Sequence, residues 1–329
     1  MWKTIMCAVQ GRGHEREEIP CQDKTFSYAE DGVYVAALAD GAGSARLSHE
    51  GAAAVTADIC RDIAEHFDEY FAQDDGVMVK KQLMANITDC LKKKAEALEC
   101  DTKDLASTLL AAAVKEDRFF LVHIGDGVIG YLKEDVLKIA SQPENGEFVN
   151  TTVFTTSKEA LMGMRLIKGT LGTIDGFVLM SDGSEAGLYH KQEKRLSDGL
   201  KKVMQMAMMI PEDAIEAMLY QSFQQVIRQA TQDDCSIAVL VRDDRFDGFH
   251  HLNAAQKHTL LQLRGTNHEK RVRRYDDLLS LLTEGKTLRQ LSRAVHVKPR
   301  YLKKHLVHLC GLHMIEKSGD RYQTQIFMG

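Results

Sequence analysis

The chain has 329 residues, of which 44% are hydrophobic and 27% charged, and it carries a net charge of -5. This length predicts a large domain plus a small one, and no apolar run approaches the roughly 20 residues of a membrane-spanning helix. Seven scattered cysteines without a CxxC pair argue against a disulfide framework and a zinc site, and an N-terminus that soon turns charged lacks a signal-peptide core. A cytoplasmic setting is expected.

The charge is unevenly shared. Residues 270–329 hold 13 Lys/Arg against 5 Asp/Glu, while the other 269 hold 29 against 42. Such asymmetry points to two modules with different partners.

In chain order, strand-length apolar runs occur at VYVAALA (33–39), RFFLVHIG (118–125), GFVLMS (176–181) and CSIAVLV (235–241). Helical periods fall between them. Residues 48–72 place Ala53, Ile59, Ile63 and Phe67 on one face; 78–98 and 192–209 read similarly, and Pro211 opens another helix toward Ala230. Strands in groups with helix pairs between them predict an α+β fold, or a layered α/β/β/α arrangement, rather than regular βαβ alternation. The polar stretch 244–269 reads as a linker with room for one helix. Beyond it come an amphipathic helix with Tyr275, Leu278, Leu279 and Leu282 inward, helices from Leu288 to Ala294 and from Pro299 to Leu309, and a closing hairpin over IEKSGDRYQTQIF. That is the element order of a winged helix. The predicted domains are therefore 1–243, a linker at 244–269, and 270–329.

Chemistry enters with the aspartates. Three apolar strands end in Asp-Gly: ALADGAG (Asp40, Gly41), HIGDG (Asp126) and LMSDG (Asp182). Asp23 in PCQD and Asp233–Asp234 in QDDCSIAVL flank strands at either end of the module. Carboxylates at several strand ends can meet on one rim and hold hard divalent cations, with glycine letting the backbone turn sharply. The plainer reading of each Asp-Gly is a hairpin turn, and VIGYL after Asp126 predicts one there. After Asp40 and Asp182 the chain enters helices or loops instead. Turn chemistry requires no carboxylate at Asp23 or Asp233.

The ordered segments GRGHEREEIPCQD, LADGAGSARLSHEGA, ASTLLAAAV, VHIGDGVIG, LMSDGSEAGL and QDDCSIAVLV, across residues 1–242, resemble the bacterial branch of the protein phosphatase 2C family. The resemblance implies a four-layer sandwich of two antiparallel sheets flanked by helices. It also implies a centre of two Mn²⁺ or Mg²⁺ ions with a third, weaker site, and hydrolysis of phosphoserine and phosphothreonine on proteins. Asp40 would bridge two ions and Gly41 would offer its carbonyl. Asp182 and Asp233 would complete one ion's ligands, and Asp126 would serve the third site with Asp182. Asp23 would orient water at the centre. Asp233 is preferred over Asp234, which stands where the family has Asn. Phosphorylated protein is the implied substrate and a serine/threonine kinase the implied counterpart.

Two family features are missing. Ala42 occupies the place of a His that follows the first Asp-Gly in many members, and Glu18 that of a phosphate-clamping Arg. His14 is the catalytic candidate to replace the first, with Arg12 and Arg16 as phosphate-binding candidates. Ser107 and Thr108 are expected to support sheet and loop geometry. In the C-terminal module, Lys298, Arg300, Lys303 and Lys304 form a basic face for nucleic acid or a partner, although a helix poor in Asn and Gln argues against base readout. The alternative to an enzyme is a weakly active or inactive phosphatase-like regulator whose winged helix binds DNA or protein.

Overall fold

The computed structural model describes residues 2–142, 152–190, 193–243, 249, 252–265, 268–312 and 314–324. They fall into two compact units: Trp2–Met204 with Glu216–Val241, and Met1 with Gln205–Ile215 and Arg242–Gly329. Residues 205–215, expected in the large domain, thus group with the second unit.

The large unit holds two five-stranded sheets. One runs in the order β1-β12-β9-β6-β7 (β1 Trp2–Val9, β6 Val128–Lys133, β7 Val136–Ser141, β9 Ile174–Met180, β12 Cys235–Arg242). The other runs β2-β3-β4-β5-β8 (β2 Lys24–Glu30, β3 Val33–Ala39, β4 Leu109–Lys115, β5 Arg118–Ile124, β8 Arg165–Thr170), with antiparallel pairing throughout. β3 and β4 are apolar along their length because both faces are covered. Ala36 and Leu38, with Leu110, Ala112 and Val114, pack on Phe177, Leu179, Ala238 and Leu240 of the facing sheet. The alternate residues Val33, Val35, Ala37, Leu109, Ala111 and Ala113 pack beneath two long helices, α2 (Ser48–Ala72) and α3 (Gly76–Ala97). The buried stripe of α2 runs through Ala52, Val55, Ile59, Ile63 and Phe67; Ala53, expected on it, is only half-buried. Two antiparallel sheets with flanking helices agree with the predicted α+β sandwich.

The hairpin expected at Asp126 does not form. β5 belongs to one sheet and β6 to the other, so the chain crosses between sheets at residues 125–127. The step uses Gly125 at φ +113, a conformation closed to most side chains, and Gly127, whose hypothetical Cβ would lie 2.7 Å from the Met180 carbonyl oxygen.

Short elements add to the first unit: the helices α1 (Arg12–Arg16), α4 (Ala160–Gly163) and α5 (Asp182–Leu188), and the strand pair β10 (Tyr189–His190) with β11 (Arg195–Leu196). α6 (Asp198–Met209) and α7 (Glu212–Gln225) follow.

In the second unit, part of the stretch read as a linker is helical: α8 (Ala254–Leu260) is held by the Lys257–Asp276 ion pair, with Lys257 Nζ 3.1 Å from Asp276 Oδ2. Residues 244–248, 250–251 and 266–267 of that stretch lie outside the described residues, as does the predicted hairpin beyond 324. Then come α9 (His268–Leu281), β13 (Lys286–Thr287), α10 (Leu288–Ala294), α11 (Pro299–Gly311), β14 (Ile315–Ser318) and β15 (Arg321–Thr324), with a three-stranded sheet ordered β13-β15-β14. Tyr275, Leu278, Leu279 and Leu282 are buried as expected. Thr287 caps α10 through a capping box with Gln290. Among the described residues no helix is long and apolar enough to cross a membrane.

Candidate metal centre

The predicted aspartates sit where strands stop. Asp40 follows β3 and is pinned from both sides by Thr108: its N–H donates to Thr108 Oγ1 at 2.9 Å, and its carbonyl accepts the Thr108 N–H at 2.8 Å. Gly41 bridges Ser107, and a Cβ on it would come 2.8 Å from Ser48 Cβ. Asp182 opens α5 directly after β9. Gly183 beside it lies so close to the end of β12 that a Cβ would fall 1.9 Å from the Asp234 carbonyl oxygen. Neither glycine adopts a positive φ. Close approach, rather than the sharp turn expected from sequence, is what requires them.

These side chains lie close enough to act on one another electrostatically. Burial raises the Asp40 carboxyl well above the usual carboxylate range, and the charges of Asp23, Asp182 and Asp233 add to it. Asp182 is raised by burial and then by Asp126 and Asp233. The charge of Asp182 is itself among the causes that raise Asp40, as happens when two carboxyls crowd one another. Asp23 is 1% exposed and is pushed up to about 7, first by burial; Ser181 Oγ donates to its Oδ2 at 2.7 Å. Asp126 accepts from Thr152 Oγ1 at 2.6 Å through its Oδ2. Asp23 Oδ1 and Asp182 Oδ1 are buried without a hydrogen-bond donor.

Among the described residues, no three His, Cys, Asp or Glu side chains stand in ligating positions around one point. The donor chemistry nevertheless fits a hard cation: all-oxygen, several-fold acidic, and with an orphaned buried oxygen on Asp182.

Asp233 and Asp234 are set apart by their surroundings. Asp234 is 2% exposed: Oδ1 accepts from the Gly11 N–H at 2.6 Å and Oδ2 from the Gln22 N–H at 2.5 Å. His14 Nδ1 lies 3.0 Å from the same Oδ2, though not in line for a hydrogen bond. Asp233 is exposed, and among the described residues its Oδ1 accepts from the neighbouring Asp234 N–H alone, at 2.9 Å.

The two N-terminal arginines act as tethers. Arg12 donates to the carbonyls of Thr231 and Gln229 at 3.1–3.3 Å, and Arg16 donates to Gln232 Oε1 at 2.5 Å. They hold α1 to the segment before β12. Sequence reading overlooked Ser181 and Gln22. Ser181 had a signal, its place at the end of β9 just before Asp182; Gln22 had none, since it contributes a backbone N–H.

A two-sheet sandwich with carboxylates gathered at its strand ends defines the class, that of the metal-dependent protein phosphatases. More specifically, the chain belongs to the protein phosphatase 2C family, whose sequence model matches residues 10–221. Serine/threonine-protein phosphatase 3 of Escherichia coli (strain K12) is 24% identical over 174 residues, covering 51% of this chain and 68% of that protein. The crystal structure of a bacterial serine phosphatase superposes with a TM-score of 0.50 at 14% identity, covering 73% of this chain and 98% of the other, which shows the shared fold.

Proposed function

We propose that this chain hydrolyses phosphoserine and phosphothreonine on proteins with divalent metal ions. One observation carries this reading: acidic side chains from separate strand ends crowd together, with Asp40 raised by burial and then by Asp23, Asp182 and Asp233, and with a buried Asp182 Oδ1 left without a donor. Burying like charges together is costly unless a cation offsets them. In this reading Asp40, Asp182, Asp233 and the Gly41 carbonyl hold two Mn²⁺ or Mg²⁺ ions, and Asp126 with Asp182 holds a third. Such ions, when bound, neutralise charge on the phosphoryl group and yield hydroxide from water at neutral pH.

The chain's own groups supply position and protons. Thr108 fixes Asp40, and Ser181 fixes Asp23. Asp23, held by Ser181, orients water at the centre through its unpartnered Oδ1. His14 stands in for the absent His after Asp40–Gly41 as proton donor to the departing serine or threonine oxygen, using the ring nitrogen farther from Asp234. Arg12 and Arg16 keep the segment bearing His14 in place. The regulator alternative has less support, since the expected carboxylates are all present. The implied setting is cytoplasmic, opposite a serine/threonine kinase. The second unit reads as a winged helix, with Lys298, Arg300, Lys303 and Lys304 as its outward basic face.

Hydrolysis of a phosphothreonine peptide with Mn²⁺, with and without chelator, tests the reading. Chelator should abolish turnover. Asp40→Asn and Asp182→Asn should each reduce it more than about a hundredfold, because even residues that only orient a metal ligand cost ~10–100-fold when removed. Activity that survives both substitutions would contradict the centre.

A further inference from the structure

Away from the carboxylates, the largest store of unused chemistry lies in the second unit. α9, α11 and the turn before α11 enclose a cavity of about 600 Å³. Its rim carries Lys270, Arg273, Arg274 and Lys304, all exposed, against the single carboxylate of Asp277. Among the described residues none of these four cations makes an ion pair, whereas the adjacent Asp276 is engaged by Lys257. The floor is apolar, formed by the buried Leu278 and Leu302. Tyr301 forms one wall, half-exposed, its ring braced by the Arg300 guanidinium 4.6 Å from the centroid.

Two features of this cavity point in the same direction. Unpaired Lys and Arg at a rim suit phosphate oxygens, which Arg can engage through two parallel hydrogen bonds. A bare phosphate, however, would leave the apolar floor wet and most of the volume unfilled, since cavities of roughly 300–1,000 Å³ suit whole small molecules. Contact with a duplex backbone needs no cavity at all. Of the four residues on the basic face, only Lys304 lines it; Lys298, Arg300 and Lys303 do not.

We infer that this cavity binds a nucleotide-sized anion, with a flat apolar body on Leu278, Leu302 and Tyr301 and its phosphates on Arg273, Arg274, Lys270 and Lys304. The site lies wholly within residues 270–305 and shares nothing with the aspartate centre, so it stands or falls apart from the phosphatase reading.

The probe is mant-ADP, titrated into the full chain by fluorescence anisotropy with chelator present to silence the metal centre. Saturable binding is expected, displaced by unlabelled ADP but not by adenosine, which lacks the phosphates, nor by nonspecific duplex DNA at matched phosphate concentration. Arg273→Glu with Arg274→Glu should weaken it about tenfold or more, given two lost charge-assisted contacts. If that double variant misfolds by circular dichroism, Lys304→Glu on the opposite helix serves, with a weakening of the same sign. Absence of binding at millimolar probe overturns the inference, as does binding indifferent to these substitutions. Displacement by duplex DNA more readily than by ADP also overturns it and assigns the surface to nucleic acid.

Discussion

The Oδ1 of Asp234 accepts the Gly11 N–H at 2.6 Å, joining two ends of the large unit that are 223 residues apart in the chain. Its Oδ2 takes the Gln22 N–H as well, so this buried carboxylate is spent on backbone donors and its neighbour Asp233 is left for other work. A division of labour follows. Asp234→Ala strands two buried N–H groups, each worth about 1–3 kcal/mol, and should lower stability by roughly 2–5 kcal/mol. Asp233→Ala removes one local, exposed acceptor, and should cost no more than about 1 kcal/mol while weakening Mn²⁺ binding. Urea unfolding in chelator and Mn²⁺ titration calorimetry separate the two. The opposite pattern would make Asp234 the ligand.

Gly183 offers a second test of how tightly this corner is built. An alanine there would set Cβ 1.9 Å from the Asp234 carbonyl oxygen, backbone against backbone, with no flexible side chain to yield. Gly183→Ala should therefore destabilise the protein by about 1–3 kcal/mol or more and reduce turnover with it. Gly43→Ala is the control, in the loop after Asp40, where a Cβ would meet nothing within 4 Å. Equal unfolding midpoints for the two variants would refute the close-approach account.

What the sequence disclosed and what it hid divide along physical lines. β3, β5, β9 and β12 were legible because core strands covered on both faces are apolar along most of their length. β2, KTFSYAE, lies at a sheet edge and is half-buried or exposed along its length, so no pattern announces it. The crossover at Asp126 looked like a hairpin because Asp-Gly between apolar runs is locally the same in both; only the pairing of β6 with β7 and β9 distinguishes them. The aspartates stood out as strand-end residues. Their meeting joins residues such as Asp40 and Asp182 that lie far apart in the chain, and the saturation of Asp234 and the tethering by Arg12 depend on partners more than 200 residues away, which no local reading supplies.

Arg12 illustrates the consequence for function. Its guanidinium donates to the Thr231 and Gln229 carbonyls, bonds whose loss costs about 1.5–3 kcal/mol when one partner is charged. Discounted for its partial exposure, Arg12→Ala should lower stability by about 1–2 kcal/mol. If tethering is its whole contribution, KM for a phosphothreonine peptide stays unchanged at temperatures where the variant is folded. A KM rise of tenfold or more without loss of stability would restore it as a phosphate clamp.

Asp23 makes the stability of the metal-free protein depend on pH in a direction opposite to that of ordinary salt-bridged carboxylates. Its folded pKa is raised to about 7 by burial, against ~3.9 in an unfolded chain. Between those values the unfolded chain has released a proton that the folded protein keeps. The contribution is therefore complete below about pH 4 and is lost as pH climbs toward 7. Asp40 and Asp182, raised in the same direction, steepen the decline. In chelator, the thermal midpoint should fall from pH 5 to pH 7.5, and Asp23→Asn, which has no proton to lose, should fall less. Added Mn²⁺ should raise the midpoint most at the alkaline end, where the carboxylates have ionised and a cation is the remaining way to offset their repulsion. Identical slopes for the wild type and Asp23→Asn would mean that Asp23 is already ionised in the folded protein. Burial would then not be holding a proton on its carboxyl.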